Sequence, residues 1–210
     1  MDLKNIRVLE VGSASGRMLN ALREEGVEAH GIELTQSYIE YSKNLDLSVY
    51  DRPITELHFK NEFDLIISFH CVEHIPYPKK TFQAIQEALK PGGRSLFMGE
   101  VPNQDDWRIQ IFNNTAVKRL HYDPCHYYYY SPQTLRAYLE ATGFEVKNLE
   151  TVERYDSLKQ LKRILTREYD SDQIEEVLNR DVFADSNENV QLHQNYDNLS
   201  KHFNPIFETG

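Results

Sequence analysis

The chain has 210 residues, with 23 Lys or Arg against 33 Asp or Glu, a formal charge of −10. That balance argues against a surface of clustered cations, from which nucleic-acid binding draws its affinity, and it disfavours an anionic membrane surface as the main partner. With 40% hydrophobic and 27% charged residues, the chain has the apolar material for a core and is unlike a disordered one.

Met1-Asp2-Leu3-Lys4-Asn5 carries no apolar run of the kind a secretory signal needs. Ile6 to Val11 then reads as a strand, broken by Gly12 to Gly16. Arg17 to Glu25 follows as a helix with Met18, Leu19 and Leu22 on one face, stopped by Gly26. Glu28 to Ile32 is a second strand, Ser37 to Asn44 a second helix and Leu47 to Tyr50 a third strand. Phe63 to Phe69 is almost continuously apolar, the mark of a strand covered on both faces of a parallel sheet. Its Leu65-Ile66-Ile67 is among the longest apolar stretches, far short of the ~20 residues of a membrane span.

Pro78 sets the first turn of a helix through Phe82, Ile85 and Leu89, ended by Pro91-Gly92-Gly93. Ser95 to Met98 is a fifth strand. Ser131-Pro132 caps a late helix through Leu135, Tyr138 and Leu139, which stops at Gly143. Phe144 to Val152 reads as a sixth strand. Alternation of this kind predicts an α/β fold, a Rossmann-like, doubly wound, mostly parallel sheet with helices on both faces. Ligands of such sheets bind at the carboxyl ends of the strands.

Two stretches break the alternation. Residues 100–130 form a connection far longer than the usual 4–6 residues, as binding lids do. Residues 158–180 show two amphipathic patterns, through Leu158, Leu161 and Leu165, then Ile174, Val177 and Leu178. Residues 150–210 hold 13 of the acidic residues and 7 of the basic ones, so more than half of the excess acid lies there. The expected division is a domain over 1–152, with 100–130 as its lid, and an acidic appendage over 153–210, mainly helical or loosely ordered. Cys71 and Cys125 make neither a disulfide framework nor a zinc spacing. A cytoplasmic, reducing setting is the expectation.

Glu10-Val11-Gly12-Ser13-Ala14-Ser15-Gly16 joins the first strand to the first helix. Small residues there let the backbone approach a ligand and aim the helix start at a negative group. A dinucleotide fingerprint from Gly12 would need glycines at 14 and 17, where Ala14 and Arg17 stand, and this argues against NAD. No Gly-Lys-Ser/Thr follows, which excludes a triphosphate loop. Glu33 ends the second strand, 21 residues past Gly12. A carboxylate there can accept both hydroxyls of an adenosine ribose; the alternative is a cap for the next helix.

With these residues in place the chain resembles the class I S-adenosylmethionine-dependent methyltransferases, in their small-molecule branch. The resemblance covers residues 6–150. Val8 to Gly16, Gly31-Ile32-Glu33-Leu34 and the block from Phe63 to Gly93 carry it, together with His126 to Phe144. One departure is Ala14 at the loop's middle glycine, tolerable where its backbone angle is ordinary.

The resemblance implies S-adenosylmethionine as cofactor. Glu10 and the loop Gly12, Ser13, Ala14 and Gly16 would hold its methionine moiety, with backbone N–H groups serving the carboxylate. Glu33 would grip the ribose and Leu34 would lie against the adenine. Asp51 to Ile54 would meet the adenine edge, and Phe69 and His70 would lie beneath the sulfonium. It also implies helices before the first strand and a seventh, antiparallel strand, neither evident here. Either the acidic tail hides that strand or the chain belongs to a longer protein with further domains.

Methyl transfer asks the protein to align acceptor, methyl carbon and sulfur, and a general base helps where the acceptor is a hydroxyl or acidic carbon. His126, at the end of the long connection, is the candidate base; alternatively it hydrogen-bonds the lid to the scaffold. Trp107 and Tyr127 to Tyr130 are candidates for an acceptor pocket or for steadying the sulfonium, set against plain core packing.

His70-Cys71-Val72-Glu73-His74 has the spacing of an inverted zinc-protease motif, but it follows a buried strand and ends at Pro76, so a regular helix is not expected. Some quinone-precursor O-methyltransferases of the family hold a divalent ion in this loop, with a carboxylate where His70 stands here, and no metal is expected. The sequence thus points to methyl transfer onto a small-molecule, sugar or lipid-linked acceptor. The competing reading is a non-catalytic Rossmann-like module of a larger protein.

Overall fold

The computed structural model describes residues 5–93, 95–106 and 122–152. The chain divides into two compact units, one of residues 2–110 and 122–151, the other of residues 1, 111–121 and 152–210. Every described element belongs to the first. Trp107 and the helices expected at 158–180 lie outside the described residues.

Strand β1 (Arg7–Val11) leads through α1 (Arg17–Glu24) to β2 (Glu28–Ile32), and α2 (Gln36–Asn44) leads to β3 (Ser48–Tyr50). A short α3 (Ile54–Leu57) precedes β4 (Leu65–Phe69), which runs into a 3₁₀ turn at Val72–His74. Helix α4 (Pro78–Ala88), β5 (Leu96–Glu100) and α5 (Pro132–Ala141) complete the described elements. All five strands are parallel, in the order β3-β2-β1-β4-β5. Right-handed crossovers to either side of β1 put helices on both faces, the Rossmann-like architecture expected.

Sequence chemistry accounts for these elements. Leu65, Ile66, Ile67 and Ser68 are all buried, as a strand covered on both faces requires. Helix α4 starts with Pro78 and seals Phe82 and Ile85 completely. Helix α5 opens with a capping box: Ser131 accepts from the Thr134 N–H and the Thr134 side chain accepts from the Ser131 N–H. Phe63, Ile66, Phe82 and Ile85 anchor the core, with Leu139 of α5 against it.

Two expectations change. Phe144 to Val152 forms no strand among the described residues; Phe144 and Val146 pack their side chains on the core without a ladder partner. Strand β5 ends at Glu100, not Met98, because Gly99 and Glu100 continue the pairing with Ser68 and Phe69 beyond the apolar run.

At the amino ends of the strands the charges are matched. Arg7 pairs with Glu28 at 2.8 Å and Glu62 at 2.9 Å, its N–H donates to Asp64 at 2.8 Å, and Lys90 reaches the same Asp64 oxygen at 2.6 Å.

Candidate functional site

β1 and β4 are neighbours at the point where the strand order reverses, the place at which such sheets bind ligands. Gly12 sits at φ 82, and a Cβ there would lie 2.5 Å from Cys71 Sγ. Only glycine lets the two loops close this tightly. Gly16, at φ 73, is packed likewise, where a Cβ would lie 2.5 Å from Leu47 Cδ1.

The backbone donors of this loop behave otherwise than expected. Gly12 and Ser13 N–H both donate to Ile32 O, at 2.9 and 3.0 Å, Gly16 N–H to Ser13 O at 2.8 Å and Ala14 N–H to Glu33 Oε2 at 2.8 Å. Four N–H groups that the resemblance assigned to a carboxylate therefore already have protein acceptors. Ala14 also departs from the expected ordinary angle, at φ 43. Its N–H bond to Glu33 holds the alanine in a left-handed conformation that costs a non-glycine residue roughly 1–2 kcal/mol.

Glu33 does not cap α2, whose N-cap is Thr35 without a side-chain bond. Its Oε1 accepts from Leu34 N–H at 2.8 Å and Thr35 N–H at 2.7 Å in the turn before the helix, while Oε2 bridges back to the loop. Three of the carboxylate's roughly four acceptor sites are therefore used, and the remaining one, on Oε2, has room for a hydroxyl donor. Leu34 beside it is 61% exposed, an apolar side chain held open at a strand end. Asp51 is exposed in the bend after β3. Ile54, expected at the adenine edge, is instead buried in the core as the first residue of α3, because the chain turns inward after Pro53.

Glu10 is the conspicuous carboxyl of β1. It is buried, its Oε2 has no hydrogen-bond partner, and burial followed by the charge of Glu33 pushes its pKa up to about 8. Ser13, also buried, has an unpartnered hydroxyl. Both are polar groups that folding alone leaves unsatisfied.

Past β4, Phe69 is half-buried and His70 adopts φ 49, a strained angle for histidine. Its N–H donates to Glu100 O at 2.9 Å, and its ring lies 3.5 Å from Glu73 Oε1 and 3.7 Å from Glu100 Oε1. Glu73 is fully buried and neither oxygen has a hydrogen-bond partner. His70 and His74 share no helix face, since only a 3₁₀ turn follows the strand. Glu73 and Glu100 were not singled out as carboxylates around His70; the later end of β5 is what brings Glu100 there. Burial, then Glu73, pushes the Cys71 thiol up to about 12, which makes it a packing group.

The end of the long connection lies on this turn. Tyr127 and Tyr128 N–H both donate to Glu73 O, at 2.9 and 3.2 Å, and Tyr128 Oη donates to Pro76 O at 3.2 Å. His126 stacks edge-on against His74 with centroids 4.5 Å apart, and its Nδ1 is sealed and unpartnered. Burial, then His74, holds its pKa below the ordinary histidine value. His74, not His126, hydrogen-bonds connection to scaffold, through Nδ1 and Cys125 O at 3.2 Å. Among the tyrosines, Tyr130 is buried, stacks on Tyr128 and meets Tyr138, whereas Tyr127 is 65% exposed.

Residues 2–149 match the family described as methyltransferase domain, most of the chain. The chain belongs to that family. The chain is 24% identical to the ubiquinone biosynthesis O-methyltransferase of Bordetella avium, over 76% of this chain and 70% of that protein. It is 31% identical to phosphoethanolamine N-methyltransferase 2 of Caenorhabditis elegans, over 42% of this chain and 22% of the other. The chain spans about half the length or less of several curated relatives it matches. A SAM-dependent methyltransferase from Archaeoglobus fulgidus shares the fold at a TM-score of 0.55 and 20% identity, covering 84% of this chain and 81% of that one.

S-adenosylmethionine is the cofactor this family implies, and the methyltransferase's own residues fit it. A buried Glu10 carboxyl oxygen without a partner suits a cationic group, and Glu33 Oε2 has room for one more donor beside the Ala14 N–H. Among the described residues, no helix is long and apolar enough to cross a membrane.

Proposed function

We propose that the chain transfers a methyl group from S-adenosylmethionine to a small-molecule, sugar or lipid-linked acceptor bound between the turn after β4 and residues 122–130. Bound there, the cofactor supplies an electrophilic methyl group on a sulfonium sulfur. Glu10 would give up its proton to face the cofactor's ammonium, and Glu33 would accept from a ribose hydroxyl through Oε2 while still holding Ala14, Leu34 and Thr35. Leu34 offers its exposed face to the adenine, with Asp51 at the adenine edge. Gly12, Ser13, Ala14 and Gly16 line the methionine end by shape, their N–H groups being spent on Ile32, Ser13 and Glu33. Phe69 and His70 flank the transferring carbon.

The observation that carries the acceptor side is His126, an uncharged imidazole beside His74 with no hydrogen bond at Nδ1. With its ring proton on Nδ1, Nε2 accepts the acceptor's proton as the new bond to carbon forms and the carbon–sulfur bond breaks. The Bordetella avium relative is named for methylation at oxygen, which supports a hydroxyl acceptor here too.

The test is methyl transfer from labelled S-adenosylmethionine to a panel of phenols, amines and hydroxylated glycans, with His126→Asn beside the wild type. Turnover of a hydroxyl acceptor is expected to fall about 10²–10⁴-fold in the variant with S-adenosylhomocysteine affinity unchanged. Equal rates remove the base role. Absence of S-adenosylhomocysteine binding by the wild type removes the enzyme reading in favour of a non-catalytic module.

A further inference from the structure

We propose that His74, Cys125 and His126 form a binding site for a borderline-soft divalent cation of the zinc class, one that competes with the base chemistry of His126. The donor atoms of the three side chains all lie within 4.8 Å of one another. A tetrahedral zinc ion with bonds of about 2.0–2.3 Å sets two nitrogens and one sulfur roughly 3.3–3.6 Å apart, so the set closes with shifts of about 1 Å. His74 comes from the turn after β4, Cys125 and His126 from the connection laid on it.

Two further observations point to a ligand rather than to chance proximity. His126 Nδ1 is sealed from solvent and unpartnered, so a lone pair or N–H lies there unsatisfied, and a cation satisfies it. His74 already makes the outer contact of a metal-bound imidazole: Nδ1 is tied to a backbone carbonyl, Cys125 O, at 3.2 Å. That bond places the ring proton on Nδ1 and leaves the Nε2 lone pair for an ion. Acidic groups lie nearby: Asp123 accepts the Cys125 N–H at 2.9 Å, its hydrogen bond to the Cys125 thiol pushing that thiol up to about 11, and Glu73 stands in the same turn as His74. One cysteine and two histidines are the donor set that zinc, cobalt and nickel prefer over magnesium or calcium.

The site differs from a metal held within the turn alone. His70, drawn between Glu73 and Glu100, is not in it, and two of its three donors lie over fifty residues away in sequence. Cys125 is exposed, which gives the ion a way in. Three protein ligands leave a fourth position for water or an acceptor heteroatom. On binding, the Cys125 thiol gives up its proton to solvent and its sulfur bonds the ion; no oxidant or reductant is needed. An ion on His126 Nδ1 forces the remaining ring proton onto Nε2, so that nitrogen can no longer accept one. The cation-loaded and base-competent states of the chain therefore exclude each other.

The experiment titrates the purified full chain with cobalt(II), read by absorption, then displaces it with zinc. One equivalent of cobalt should produce a near-ultraviolet thiolate-to-metal band and intense visible bands of tetrahedral geometry. Cys125→Ser should abolish the thiolate band, and His74→Ala should weaken zinc binding by at least about tenfold. Circular dichroism and S-adenosylhomocysteine binding of Cys125→Ser confirm its fold, since Cys125 lies outside the cofactor residues. No cobalt band, or one that survives in Cys125→Ser, overturns the site. The spectroscopy does not depend on methyl transfer, so the site and the methyl-transfer reading fail separately. In the turnover assay, zinc should inhibit the wild type and leave Cys125→Ser far less affected.

Discussion

The two edges of the same five-stranded sheet are built on opposite terms. At the amino edge the charges around Arg7 are matched: Arg7 meets Glu28 and Glu62, and Asp64 takes both the Arg7 N–H and Lys90. At the carboxyl edge Glu10, Ser13, Glu73 and His126 carry buried polar atoms without hydrogen bonds, and Ala14 and His70 sit at positive φ. Folding satisfies its own polar groups wherever it is free to do so. Buried polar atoms left open at the carboxyl edge are where a ligand would complete the hydrogen bonding, whereas positive φ is not confined to that edge, since Asp46, His58 and Asn61 adopt it too.

The largest break in that contrast should come from Gly12→Val. The new side chain meets Cys71 at a φ that valine avoids, so S-adenosylhomocysteine affinity in calorimetry is expected to vanish and stability to fall by roughly 3 kcal/mol or more. Glu33→Gln should come next. Its amide oxygen can keep the Leu34 and Thr35 bonds, but its nitrogen cannot accept from Ala14 N–H or from a ribose hydroxyl, and affinity should drop about 10–100-fold with the fold intact.

Glu10 offers a pH test of the same edge. In the free chain its carboxyl holds a proton to about 8, whereas a bound ammonium favours the ionised form. Cofactor affinity should thus rise with pH, level off above about 8, and be accompanied by proton release seen in buffers of different ionisation heat. The stability sign is the reverse. A carboxyl raised from 4.5 to about 8 on folding costs stability as pH climbs through that interval, and Glu10→Gln should flatten the decline in melting temperature.

Arg7→Met sharpens the comparison from the other side. It should cost about 1–2 kcal/mol in denaturant unfolding and leave cofactor affinity untouched. Ala14→Gly should have the smallest effect, a gain of about 1 kcal/mol or less in stability from relief of the left-handed alanine.

Much of the scaffold was legible because local chemistry decided it. Phe63 to Phe69 could only be a doubly covered strand, and Ser131-Pro132 with Gly143 bracketed α5 to within a residue or two. Glu33 was legible from its distance to Gly12. What escaped depended on partners distant in sequence. Phe144 to Val152 has a strand's composition but no pairing neighbour among the described residues, and Glu100 reaches His70 only because β5 follows β4 past its apolar run. The angle of Ala14 is set by a carboxylate 19 residues away, and Ile54 turned inward once α3 formed. No local pattern carries such information. The cluster of His74, Cys125 and His126 was hidden in the same way, its members scattered between a motif that failed as a helix and the far end of the long connection.

The Glu33 bridge has a kinetic consequence. One carboxylate already ties the loop after β1 to the start of α2 through Ala14, Leu34 and Thr35. The crevice is thus assembled before any ligand arrives, and little ordering entropy remains to be lost on association. Capture at this end should be fast and insensitive to viscosity-dependent loop closure. Differences in cofactor affinity among variants of the carboxyl edge will then appear chiefly as altered residence times.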